Sequence, residues 1–223
     1  MTLTISPNSI IVFDLDDTLY KEIDFLKSAY VHIAKLLEKN IGKNIYEEMI
    51  ALYLNKESTF DIIKSTYSFP YTIKDLVEIY RFHKPTIQLN QDVFRFINSL
   101  RNAKIPLGLI TDGRSLSQRN KLNALGLTDA FEIIVISEEI GSEKPDVKNY
   151  RLVEDNFKGG EFTYIGDNFQ KDFVTPNQLS WNTIGIKDNG LNIHKQSSSL
   201  PLKYHPKFLV DSFDSITIKF LNK

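Results

Sequence analysis

The 223-residue chain contains no cysteine. Disulfides, thiolate metal sites and thiol nucleophiles are thereby excluded, and a reducing compartment is compatible with that composition. Neither sign of charge is in excess, since 27 basic and 28 acidic residues leave a net charge of -1. Such a balance gives no reason to expect nucleic acid or a membrane surface as a partner. No apolar run is long enough to span a bilayer, and the opening Met1-Thr2-Leu3-Thr4-Ile5-Ser6-Pro7-Asn8 lacks the basic start and apolar stretch of a signal peptide. A soluble cytoplasmic protein is the expectation. Compositional bias is confined to Gln196-Ser197-Ser198-Ser199, which reads as exposed loop.

Four short apolar runs alternate with helix-like segments. They are Ser9-Ile10-Ile11-Val12-Phe13, Ile105-Pro106-Leu107-Gly108-Leu109-Ile110, Phe131-Glu132-Ile133-Ile134-Val135-Ile136 and Phe162-Thr163-Tyr164-Ile165. Runs this short and this apolar suit strands buried on both faces of a parallel sheet. Val93, Phe94, Ile97 and Leu100 share a predicted helix face, as do Leu116, Leu122 and Leu125. The alternation predicts a Rossmann-like open α/β sheet with helices on both faces. One interval, residues 20–85, carries only amphipathic helix patterns, with Ile23, Leu26, Tyr30, Ile33 and Leu37 stepping by three and four. It predicts a small all-helical cap domain inserted in a catalytic core made of residues 1–19 and 86–223. Phe208-Leu209-Val210 and Ile216-Thr217-Ile218-Lys219-Phe220 are expected to close that core.

Polar clusters sit where the strands stop, which is where open α/β sheets bind ligands. Asp14-Leu15-Asp16-Asp17-Thr18 places carboxylates two residues apart just past the first run. Crowded carboxylates repel, so they suggest a cation between them, and oxygen-only ligation suits Mg²⁺. Taken alone, the segment also reads as a helix N-cap. Gly166-Asp167, with Asp172 beyond it, supplies another strand-end carboxylate; Gly166 permits a tight turn, and Asp172 is placed to orient Lys171 or metal-bound water. Thr111-Asp112-Gly113 offers a hydroxyl and successive N–H groups for phosphate oxygens, and Lys144 precedes Pro145. Read singly, these last two are also a plain turn and a solvated lysine. His32, His83, His194 and His205 lack metal-like spacing and read as structural or surface residues.

In this order and context, the four segments resemble the motifs of the haloacid dehalogenase superfamily of phosphohydrolases. The interval 20–85 resembles its type-I helical cap. The resemblance implies an Mg²⁺-dependent phosphatase in which Asp14 attacks phosphorus and forms an aspartyl phosphate. Asp16 then serves as general acid and base. It further implies that Asp14, Asp167 and the backbone carbonyl of Asp16 hold the metal. Thr111, Asp112, Gly113 and Lys144 bind the phosphate, and Asp172 supports them. Tyr20 and Arg114 are candidate substrate contacts. The expected partner is a small phosphorylated metabolite (a sugar phosphate, phosphoglycolate or a nucleoside monophosphate), acted on by a monomer or homodimer. Asp112 stands where the family often has Asn. A phosphosugar mutase shares these motifs, and a phospho-accepting signalling module shares several of them. Asp16 argues against a dehalogenase, which has no leaving oxygen to protonate.

Overall fold

The computed structural model describes residues 1–197 and 199–221. The chain forms two compact units: Met1–Glu22 with Gln88–Lys223, and Ile23–Ile87. Glu22 belongs with the first unit because its N–H is taken by the Asp17 carboxylate at 3.0 Å, which ties the chain down beyond the boundary read from sequence.

In the first unit, β1 (Thr2–Ile5) precedes β2 (Ser9–Phe13). Then come α5 (Gln91–Asn102), β3 (Leu107–Thr111), α6 (Ser115–Ala124), β4 (Ile133–Ile136), α7 (Ser137–Ile140) and α8 (Val147–Asn156). The chain continues through β5 (Glu161–Gly166), α9 (Val174–Gln178), β6 (Asn182–Ile186), β7 (Phe208–Val210) and β8 (Thr217–Phe220). The second unit consists of α1 (Glu22–Ile41), which starts at the boundary, α2 (Tyr46–Leu54), α3 (Thr59–Thr66) and α4 (Ile73–Phe82).

Six parallel strands form one sheet in the order β4-β3-β2-β5-β6-β7. Successive residues of β2 point to opposite faces, so each face needs its own helical cover. Val12 and Ile10 pack with Tyr150 and Val153 of α8. Phe13 instead meets Phe96 of α5, ring centroids 6.3 Å apart.

The structure refines the sequence reading at three places. The run Ile216–Phe220 does not close the main sheet: as β8 it pairs in parallel with β1, a strand not foreseen, to form a separate two-stranded sheet. β6 was also unforeseen, because Asn182, Thr183 and Gly185 dilute its apolar pattern, yet it is central to the right half of the sheet. On the helices, Phe94 and Leu116 are exposed, and Phe96 takes the core position assigned to Phe94. The second unit follows its predicted stripe more closely. Leu26, Tyr30, Ile33 and Leu37 are buried with Met49, Ile63 and Leu76 in a core of its own. No helix among the described residues is long and apolar enough to cross a membrane.

Candidate active site

The strand order reverses direction at β2 and β5, which are neighbours at the centre of the sheet. Connections leaving their carboxyl ends diverge, and the crevice so formed is the usual ligand position in such sheets. Asp14 follows β2 directly, and its N–H continues the ladder to the Ile165 carbonyl at 2.9 Å. Asp167 follows β5. Their carboxylates, with that of Asp172, bring one oxygen each within 4.8 Å of the others, and all three residues are buried. A cavity of about 220 Å³ opens here, lined by Asp14, Asp16, Thr111, Lys144, Asp167 and Glu22 among others.

Lys144 is the cation at the centre. Its Nζ donates to Asp14 Oδ1 at 2.6 Å, to Asp172 Oδ1 at 2.7 Å and to the Tyr164 hydroxyl at 3.2 Å. Burial disfavours its charge, but Asp14 and Asp172 outweigh that and lift its pKa well above the usual lysine value. Asp172 Oδ2 accepts the N–H groups of Asp167 and Asn168 at 3.0 and 2.8 Å. Asp172 therefore orients Lys144 and the turn after β5; of the two partners the sequence offered it, Lys171 or metal-bound water, Lys171 instead donates to Asp112 Oδ2 at 2.8 Å. At the turn that follows β5, Gly166 is required for close approach: its φ is not positive, and an added Cβ would lie 2.6 Å from Asp172 Oδ2.

Three buried carboxylates around one ammonium leave two negative charges when all are ionised. Burial, opposed by Lys144 and reinforced by Asp172, pushes Asp14 up to about 7. Burial, then repulsion from Asp172 and Asp14, pushes Asp167 up to about 9. Two hard carboxylates held together at this electrostatic cost fit a divalent, oxygen-seeking cation of the Mg²⁺ type. Asp172 fits less well as a ligand, because both its oxygens are already engaged.

Asp16 is clamped by side chains from two directions. Its Oδ1 accepts from the Tyr20 hydroxyl and from Lys121 Nζ at 2.7 Å, and its Oδ2 from Gln118 Nε2 at 2.9 Å. Burial alone would raise its pKa, but the charge and hydrogen bond of Lys121, aided by Tyr20 and Gln118, hold it below the usual carboxylate range. Gln118 Nε2 also donates to Thr111 Oγ1 at 2.6 Å. Neither Gln118 nor Lys121 was singled out from sequence. The available signal was their three-residue spacing on the face that carries Leu122 and Leu125, where a polar pair is out of place.

Thr111 and Asp112 both line the cavity. The Asp112 side chain turns to the Lys144 N–H at 3.0 Å and to Lys171, which offsets the negative charge this position brings. Other predicted positions are employed differently. The Gly113 N–H donates to Ser137 Oγ at 2.9 Å and is not presented to the cavity. Arg114 forms an exposed ion pair with Glu138 at 2.6 Å, and Tyr20 is buried against Asp16, so neither lines the cavity.

Residues not foreseen include Glu22, pushed up to about 8 by burial and by the charge of Asp16. His194, read as structural or surface, lines the cavity wall. Asn192 and Gln196 reach Asp167 from the irregular stretch after β6. Gln196 is thus half-buried and engaged, not exposed loop, and Ser198 of the same run lies outside the described residues.

Comparison with known proteins places the chain in a family. The profile described as haloacid dehalogenase-like hydrolase matches residues 11–186. The glyceraldehyde 3-phosphate phosphatase of Methanocaldococcus jannaschii is 31% identical over 192 residues, covering 79% of this chain and 83% of its own. The enzyme of the same name from Methanopyrus kandleri is 29% identical over 196 residues, covering 79% and 83%. Among solved structures, the HAD-hydrolase YfnB of Bacillus subtilis, bound to magnesium, superposes with a TM-score of 0.66 at 18% identity, covering 93% of this chain and 96% of its own. The structural likeness speaks to fold alone; by the profile match and the sequence relatives, the chain belongs to the haloacid dehalogenase-like hydrolases.

Proposed function

We propose that the protein is an Mg²⁺-dependent phosphatase of small phosphate monoesters and that Asp14 is its nucleophile. The observation that carries this reading is the grouping of the Asp14 and Asp167 carboxylates, with Lys144 bonded to Asp14 and with Asp16 and Thr111 lining the same cavity. In the first step a carboxylate oxygen of Asp14 bonds to phosphorus as the ester P–O bond breaks, leaving an aspartyl phosphate. Asp16 gives its proton to the departing alkoxide and, in the second step, takes one from the water that attacks the phosphoenzyme. The arriving phosphate dianion opposes Lys121 and raises the proton affinity of Asp16, which prepares it for the first step. Thr111 Oγ1 accepts from Gln118, so its own hydrogen is directed away from the amide and toward a phosphoryl oxygen. The Asp112 N–H supplies a second donor, and Lys144 balances the charge of nucleophile and phosphate. Asp14, Asp167 and the Asp16 carbonyl would hold Mg²⁺, which when bound would supply charge neutralisation for two anions that must meet.

The named activity of the archaeal relatives favours phosphorylated sugars, with glyceraldehyde 3-phosphate the first to assay. The test is phosphate release from a panel of small phosphate esters, with Mg²⁺ titrated into metal-free protein. Release should require Mg²⁺, and Asp14→Asn should lower it on the order of 10³-fold or more. Ordinary turnover by a well-folded Asp14→Asn protein would sink the nucleophile assignment.

A further inference from the structure

Residues 187–197, between β6 and β7, form neither helix nor strand, yet Asn192 and Gln196 turn inward from a stretch that is otherwise largely exposed. Asp188 Oδ1 closes the stretch on itself by accepting the N–H groups of Gly190 at 2.7 Å and Asn192 at 3.1 Å. The loop so formed presents Asn192, which is 3% exposed. Its Nδ2 donates to Asp167 Oδ2 at 2.7 Å, and its Oδ1 accepts from Lys21 Nζ at 2.6 Å. An ammonium has only donors, so Lys21 takes the amide oxygen and the amide NH2 group is left to face Asp167. Two further bonds hold the stretch in place: the Ile193 N–H donates to Asp17 Oδ2 at 2.8 Å, and Gln196 Nε2 donates to the Asp167 carbonyl at 2.8 Å.

We infer that Asn192 is a positioning residue for Asp167. By occupying Oδ2 it fixes the rotation of the carboxylate and leaves Oδ1 on the side of Thr18, whose hydroxyl lies 3.4 Å from it and 3.0 Å from Asp14 Oδ2. The choice of a neutral donor matters. A lysine in this place would cancel the charge that attracts a cation, whereas an amide orients the carboxylate and leaves its charge intact. Lys21 stays one amide away, holding Asn192 in register without touching Asp167. The inference rests on the reading of Asp167 as a cation ligand.

The test is Mg²⁺ binding to metal-free protein by isothermal titration calorimetry, comparing wild type with Asn192→Leu, Lys21→Met and Asp167→Asn. Asn192→Leu keeps the branching at Cγ and removes the hydrogen bonds; it should weaken Mg²⁺ binding about 10-fold or more, the usual consequence of removing a partner of a metal ligand. Lys21→Met should shift the constant in the same direction by less, and it decides the matter if Asn192→Leu does not fold. An unchanged dissociation constant in folded Asn192→Leu, with Asp167→Asn impaired, overturns the role of Asn192 alone. Failure of wild type to bind, or equal binding by Asp167→Asn, overturns the ligand reading as well.

Discussion

At Gly166 the constraint is space, because the ideal Cβ position lies 2.6 Å from Asp172 Oδ2 and 3.0 Å from its Cβ. Asp172 has no slack to give, since its two oxygens hold Lys144 and the N–H groups of Asp167 and Asn168. Gly166→Ala should therefore cost about 1–3 kcal/mol of stability, as overpacking of a filled interior does. It should also depress phosphate release, since Lys144 loses one of its two carboxylate anchors. A chemical denaturation curve and a phosphate-release assay check both halves; an unaltered midpoint would count against the close approach. The single letter Gly cannot reveal this from sequence. It fits a tight turn equally well, and only the position of Asp172 distinguishes the two reasons.

Among the elements, α6 departs furthest from its expected role. A helix after a strand end normally offers its apolar stripe to the sheet. Here Leu116 points outward, while Ser117, Gln118 and Lys121 are buried beside Leu122. The helix thereby brings an amide and an ammonium to Asp16, and the amide ties Asp16 to Thr111 at the end of β3. Lys121→Met removes the charge that overcomes burial at Asp16, so the carboxyl pKa must rise. Where turnover needs Asp16 ionised as a base, the acidic limb of the kcat–pH profile should move to higher pH. A limb that stays in place would separate Lys121 from the chemistry. The helical periodicity of α6 was readable, but its orientation was not, because a polar residue in a stripe does not announce what it faces.

On the scale of the whole molecule, the metal-free protein carries carboxyls whose folded-state pKa values lie above the ordinary one. Asp14 stands at about 7, Glu22 at about 8 and Asp167 at about 9, each raised first by burial. Below the unfolded value of 3.8 for an aspartate, both states are protonated and the charge repulsion is absent. As pH rises, the unfolded chain releases these protons first, so it binds fewer protons than the folded state and stability falls. The loss runs from about pH 4 through the folded values of about 7 and about 9. Asp16, with its lowered pKa, acts in the opposite sense and only at the acidic end. A bound divalent cation offsets the repulsion where the carboxyls are ionised. Mg²⁺ should accordingly raise the thermal midpoint more at about pH 8 than at about pH 5. Calorimetric scans with and without Mg²⁺ at both pH values measure this, and an equal or reversed effect would contradict the proposed cluster.

The sequence by itself determined the parallel α/β core, the helical interval and the strand-end carboxylates, because these depend on local patterns of apolar runs, helix steps and chain turns. It carried Asp14, Asp16, Thr111, Lys144, Asp167 and Asp172 to one end of one sheet, and the family resemblance followed from their order. Partnership was decided by the tertiary structure. That Lys144 takes Asp172 as well as Asp14, that Gly113 and Arg114 bond to α7, and that Asn192 holds Asp167 are matters of distance across 28, 130, 24 and 25 residues of chain. No local pattern encodes them. They arise because the strand order β4-β3-β2-β5-β6-β7 brings remote chain ends together, and buried polar groups must then find partners there.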